Sequence, residues 1–199
     1  MVGMTLLERI IGLDQRAFLA INGLHAPWAD ALMVGLSEML VWIPLYVFLL
    51  YLLQRSYGWK GLLWAVPVIA GMIFCSDTGS VVLFKETFQR LRPCHEPALQ
   101  GLVHLVNEHC GGRYGFVSSH ASNHFAIAAL MALVLRDKYR FAPAMLLTWA
   151  VVVAYSRIYL GAHYPGDVLV GGLFGVTVGS IFFGIFRRVT RNGGIQAHT

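Results

Sequence analysis

The chain has 199 residues, of which 57% are hydrophobic and only 13% charged, with a net charge of +5. Soluble domains carry about 25% charged residues, and half that share cannot cover a water-soluble globule of this size. Aromatic residues at 13% exclude a disordered chain. The composition is that of a polytopic membrane protein, whose positive charge reports membrane sidedness rather than nucleic acid.

In the N-terminal segment, Leu6, Leu7, Ile10, Ile11, Leu13, Phe18 and Ile21 recur at helical spacing. Glu8, Arg9, Asp14 and Arg16 interrupt any continuous apolar run. The pattern predicts a helix within 1–28 that lies in the membrane interface, and neither a cleavable leader nor a span. Five later stretches are long and apolar enough to cross a bilayer, near 31–53, 61–84, 119–135, 141–158 and 166–186. The predicted fold is all-α: one polytopic membrane helical bundle over 1–199, with about five transmembrane helices plus the N-terminal interfacial helix.

Basic residues sort the connections by side. Arg55 and Lys60, then Arg136, Lys138 and Arg140, then Arg187, Arg188 and Arg191 of the tail 187–199 fall on one face, which the positive-inside rule makes cytoplasmic. The long loop 85–118, the turn around His163 and the N-terminal segment share the other face, periplasmic or external to the cell membrane. Lys85, Arg90, Arg92, Arg113 and Arg157 lie there against the rule, which points to a function for them.

Three clusters on that face carry chemistry. The first is Lys85 to Pro93, where Lys85 and Arg92 stand seven apart. On a helix that spacing is two turns, which predicts a shared face about 10 Å apart, with Pro93 ending the helix. Alone, the pair could be two cations snorkelling to lipid headgroups. The second is Gly115 to Phe125, opening the third span. Ser118 and Ser119 are natural cap residues, a helix start offers free N–H groups to an anion, and His120 sits in the first turn. The third is Ser156 to Asp167. Here Arg157 ends one span, His163 lies in a tight turn, Pro165 suits a helix start, and Asp167 falls in its first turn. A carboxylate near His163 would fix its tautomer and leave the other nitrogen free to attack. Together the clusters hold three cations, helix-start amides, two histidines and a carboxylate, an inventory suited to phosphoryl transfer.

The three clusters resemble the motifs of the type 2 phosphatidic acid phosphatase superfamily, K-x6-RP, PSGH and SR-x5-H-x3-D. Lys85 to Pro93 matches the first, and Ser156, Arg157, His163 and Asp167 match the third. In the second, Ser118 and His120 match, while Val117 stands for the proline and Ser119 for the glycine. The resemblance covers roughly 77–170 and implies a lipid phosphatase that needs no metal and no other cofactor. It implies that Lys85, Arg92, Ser118, Ser119 and Arg157 bind phosphate. It further implies His163 as nucleophile, Asp167 as its orienting partner and His120 as general acid.

Other residues carry weaker signals. Asp77, an acid at membrane depth, is expected to be buried and bonded to a neighbouring helix in support of the site, and Glu38 is similar. His124 lies one turn beyond His120 and, like Asn123, either supports the site or is a satisfied bundle residue. Cys75 reads as a small apolar packer. Cys94-His95 and His109-Cys110 bracket the outer loop. They offer zinc ligands, but adjacent ligands pack poorly around a tetrahedral ion. A Cys94–Cys110 disulfide is the simpler expectation outside the cytoplasm, and free thiols are the third. The expected partners are the bilayer and a lipid phosphate, first of all undecaprenyl diphosphate, then phosphatidylglycerophosphate, phosphatidic acid or a lipid A phosphate. A non-catalytic lipid-phosphate binder or transporter would need the cations, but not His120 or the His163 and Asp167 pair.

Overall fold

The computed structural model describes residues 5–108 and 110–195. Helix α1 (Leu6–Asn22) opens on a capping box: the Thr5 hydroxyl accepts from the Glu8 N–H, and the Thr5 N–H donates to the Glu8 carboxylate at 2.7 Å. Phe18 and Asn22 face the protein, whereas Leu6, Leu7, Ile10 and Leu13 are exposed. That outward apolar face suits a helix lying at a lipid surface.

Helix α2 (Pro27–Ser37) follows, and then Glu38 is extended at ψ 128° before α3 (Ile43–Gly79) begins. The single span expected over 31–53 is therefore broken. Pro44 is the reason, because it lacks an N–H and its ring collides with the carbonyl four residues back, so it tolerates only a helix start. The basic linker expected at 54–60 is also absent as a loop. Gly58 alone departs from helical geometry, at φ 67° and ψ −176°, and divides α3 into two arms. Leu53 and Ala65 belong to one buried core cluster while Tyr46 and Ile69, farther from the bend, line one cavity, so the arms lie side by side. A residue with a Cβ rarely adopts that φ, which is why glycine stands at the fold of the hairpin.

Helix α3 runs on into a π-helical stretch, Ser80–Lys85, and a last turn, α4 (Glu86–Phe88), which Gln89 ends in the left-handed region at φ 47°. Cys75 is exposed on α3 rather than packed inside. Three further helices complete the bundle: α5 (Ser119–Leu135), α6 (Ala142–Tyr159) and α7 (Pro165–Asn192). Three segments among the described residues have the length and hydropathy to cross a membrane: Met39–Phe88, Ala142–Tyr159 and Pro165–Asn192. The first is folded at Gly58. Helix α5, apolar but only 17 residues long, is the central post of the bundle and packs against α3, α6 and α7.

Helix α5 meets α7 along a seam of small residues. A Cβ on Gly171, Gly175 or Gly179 of α7 would stand 2.7, 2.2 or 2.5 Å from the carbonyl oxygens of Ser118, Ser122 and Ala126. Backbone therefore touches backbone, the arrangement that small residues four apart allow between membrane helices. Because α5 and α7 both start at the same end of the bundle, this seam sets the spacing between Ser118–His120 and His163–Asp167.

Candidate active site

The end of α3, the start of α5, the end of α6 and the start of α7 converge here. Lys85, in the π-helical stretch, donates to the Ser119 hydroxyl at 2.6 Å. Ser80, missed in the sequence, joins the same hydroxyl at 2.6 Å. Ser118 is spent on structure: it caps α5, and its N–H donates to the Asp167 carbonyl at 3.0 Å.

The chain from Arg90 to Arg92 is not the helix expected from the Lys85 and Arg92 spacing. It is extended and pairs antiparallel with 113–115, with the Arg92 N–H on the Arg113 carbonyl and the Gly115 N–H on the Arg90 carbonyl. A Cβ on Gly115 would meet Arg92 Cγ at 3.0 Å and Asp167 Oδ2 at 3.2 Å, so any larger residue would press on both side chains. Alternate residues of an extended segment share a face. Arg90 and Arg92 therefore both reach the turn before α7.

Arg92 Nη1 lies 3.1 Å from the Ala162 carbonyl and 3.0 Å from His163 Nε2. A guanidinium only donates, so Nε2 is the accepting, unprotonated nitrogen of the imidazole. His163 is buried; that burial, with Arg92, Arg157 and Lys85 adding like charge, holds the ring well below the usual histidine range. It is therefore a neutral base with its lone pair turned to the cationic cluster. Asp167 Oδ2 lies 3.6 Å from His163 Nδ1, longer than a hydrogen bond, and accepts the Tyr164 N–H at 3.0 Å. Its Oδ1 accepts from Arg90 at 2.8 Å.

Arg157, at the end of α6, donates to the Ser37 hydroxyl. The Nε atoms of both Arg92 and Arg157 are buried without a protein acceptor. Buried donors are ordinarily satisfied, so these two suit an anion with several oxygens. The His120 ring is half-buried and within electrostatic range of Arg157, His163 and Arg92. His124 donates from Nδ1 to the His120 carbonyl at 2.8 Å and packs on Trp149, a contact that steadies the first turn of α5.

Two expectations change. Asp77 accepts from Asn123 at 3.2 Å, as expected of an acid bonded to a neighbouring helix, but it is exposed rather than buried. Glu38 is likewise exposed, in the break between α2 and α3, where its charge faces Arg157. In the loop 85–118 Cys94 and Cys110 are joined, with Cα atoms 6.1 Å apart. With His95 they form the group among the described residues able to hold a metal ion, which would require both thiols free; His109 lies outside the described residues. Arg90, marked in the sequence only as a charge against the positive-inside rule, was given no partner there, and Asp14 was missed. On a helix Arg90 would have faced away from Arg92, and nothing in the sequence ties residue 14 to residue 167.

The PAP2 superfamily model matches residues 63–191, which contain all three clusters. The chain belongs to this superfamily. It is a membrane lipid phosphatase, a hydrolase of lipid phosphate esters. A lipid A 4′-phosphatase of Bacteroides thetaiotaomicron is 33% identical over 93% of this chain and 82% of that protein. The undecaprenyl-diphosphatase BcrC of Bacillus subtilis is 27% identical over 86% of this chain and 83% of its own. The fold of a transmembrane PAP2-type phosphatidylglycerolphosphate phosphatase from Bacillus subtilis superposes with a TM-score of 0.66 at 24% identity, covering 92% of this chain and 89% of that one. This multi-pass membrane phosphatase brings all three clusters together at one end of its bundle.

Proposed function

We propose that this phosphatase hydrolyses a lipid phosphate monoester by transferring the phosphoryl group to His163, with a lipid A 4′-phosphate as first substrate. The observation that carries the mechanism is the unprotonated His163 Nε2 beside Arg92, within the field of Lys85 and Arg157. A phosphate entering this cluster takes Arg92, Arg157, Lys85 and Ser119 as its donors. Moving Arg92 onto the phosphate oxygens frees Nε2 to attack phosphorus. The P–O ester bond breaks as the N–P bond forms, and His120 gives its proton to the departing oxygen. Water then attacks the phosphohistidine, His120 takes the water's proton, and inorganic phosphate leaves with His163 restored. The three cations offset the charge that accumulates on the phosphoryl oxygens.

The substrate choice follows the relative of greater identity and coverage, the lipid A 4′-phosphatase. Undecaprenyl diphosphate, the first expectation from the sequence, becomes the second reading, supported by the weaker likeness to BcrC. We place the site on the periplasmic face of the inner membrane, because the basic connections lie at the opposite ends of the spans. The test is phosphate release by the purified protein from a lipid A 4′-phosphate, phosphatidylglycerophosphate, phosphatidic acid and undecaprenyl diphosphate. Lipid A should give the highest kcat/KM, with no release by His163→Ala. Preference for the diphosphate would replace the substrate assignment, and full activity of His163→Ala would overturn the mechanism.

A further inference from the structure

We infer that Arg90 and Asp14 are positioning residues for His163 and Asp167, which makes the interfacial helix α1 part of the catalytic support. The inference rests on the reading of His163 as nucleophile.

Asp167 has no exposed surface, and a carboxylate so placed stays ionised only beside a cation. Arg92 is engaged with His163 and the Ala162 carbonyl, so Arg90 supplies that partner. Its Nη1 meets Asp167 Oδ1 at 2.8 Å and its Nη2 meets Asp14 Oδ2 at 2.7 Å. Its Cζ lies over the Tyr164 ring, 4.1 Å from the centroid, which limits its freedom to turn. Asp14 also accepts the Gly166 N–H at 2.8 Å through its other oxygen. A Cβ on Gly166 would stand 2.7 Å from that carboxylate, so the glycine admits α1 to the turn. One residue of α1 therefore holds both Arg90 and the backbone just before Asp167. Arg90 and Arg92, on one face of one extended segment, then fix the two ends of the His163–Asp167 pair. Arg90 touches neither the phosphate donors nor His163 Nε2, so its effect passes through Asp167.

The experiment uses the full chain in mixed micelles with a lipid A 4′-phosphate, measuring phosphate release for Arg90→Gln, Arg90→Lys, Asp14→Asn, the double variant Asp14→Asn/Arg90→Gln, and His163→Ala. Losing the outer partner of a catalytic group typically costs about 10- to 100-fold, so Arg90→Gln should lower kcat by that amount with KM within about twofold. Arg90→Lys should recover part of the rate by restoring the charge without the bridge. Asp14→Asn should cost less, and nothing further in the Arg90→Gln background, since its influence runs through the guanidinium. Unchanged kcat in Arg90→Gln, a loss confined to KM, or multiplied losses in the double variant would each overturn the inference. If Arg90→Gln does not fold, unchanged kcat in Asp14→Asn overturns it alone. An inactive His163→Ala beside a fully active Arg90→Gln rejects only the positioning role, whereas an active His163→Ala rejects the mechanism beneath it.

Discussion

A histidine serves as nucleophile only while its attacking nitrogen is unprotonated. Burial and three neighbouring cations depress the basicity of His163 in the free enzyme. Its neutral form therefore persists below the ordinary histidine pKa of about 6.5. The acidic limb of kcat/KM, which reports the free enzyme, should accordingly fall below pH of about 6.5. A limb above that value would mean that another group controls the rate. The two histidines separate by leaving group. His163→Ala should be inactive on every substrate, because the proposed mechanism has no other group to attack phosphorus. His120→Ala should lose about 10²- to 10⁴-fold on an alkyl phosphate and less on an aryl phosphate, whose oxygen departs without a proton. Comparing both variants on both esters checks the assignment, and rescue of His163→Ala by the aryl ester would invert it. Lys85, Arg92, Arg157, His120, His163 and Asp167 were all legible in the sequence, because each is a charged or titratable residue at a fixed spacing. Arg90 stood out only as a charge on the unfavoured face, and its partnership with Asp14 was not legible, since it exists only once α1 has docked beside α7.

Among elements, the seam between α5 and α7 is the most constrained. Gly175→Ala would set a methyl carbon 2.2 Å from the Ser122 carbonyl and push the helices apart, whereas Gly184→Ala on the same helix meets nothing within 4 Å. Overpacking of this kind costs about 1–3 kcal/mol, so Gly175→Ala should lower Tm and Gly184→Ala should leave it unchanged. Equal Tm values would show that the seam is looser than its geometry implies. Hydropathy located the helices here because period and length survive in the sequence. It misplaced their breaks for local reasons: Pro44 restarts a helix inside an apolar run, and Gly58 turns the chain with one residue where a loop was expected. The end of α3 was misjudged for a different reason. Pro93 was the obvious stop, yet the helix ends before it, as 90–92 pairs with 113–115, a contact between distant segments that no local pattern records. In the loop that follows, alkylation of the unfolded, unreduced protein should label Cys75 alone, and three labels would deny the Cys94–Cys110 bridge.

At the scale of the whole molecule, the site's end of the bundle presents cations and histidines and, among the described residues, no group of carboxylates placed to hold Mg²⁺, since Asp167 is committed to Arg90 and the Tyr164 N–H. Activity should persist in EDTA, and vanadate should inhibit by imitating five-coordinate phosphorus. Complete loss in EDTA that Mg²⁺ restores would refute direct attack by His163. The glycine seam has a wider consequence. Main chain lies against main chain there, so the halves of the site are spaced without side chains whose rotamers drift with temperature or lipid. Such a frame does not need to close around its substrate. A lipid substrate then reaches it by a two-dimensional search within the leaflet. Velocity should follow the mole fraction of substrate in the surface rather than its bulk concentration, and diluting the lipid at constant total amount should slow the enzyme as surely as removing it.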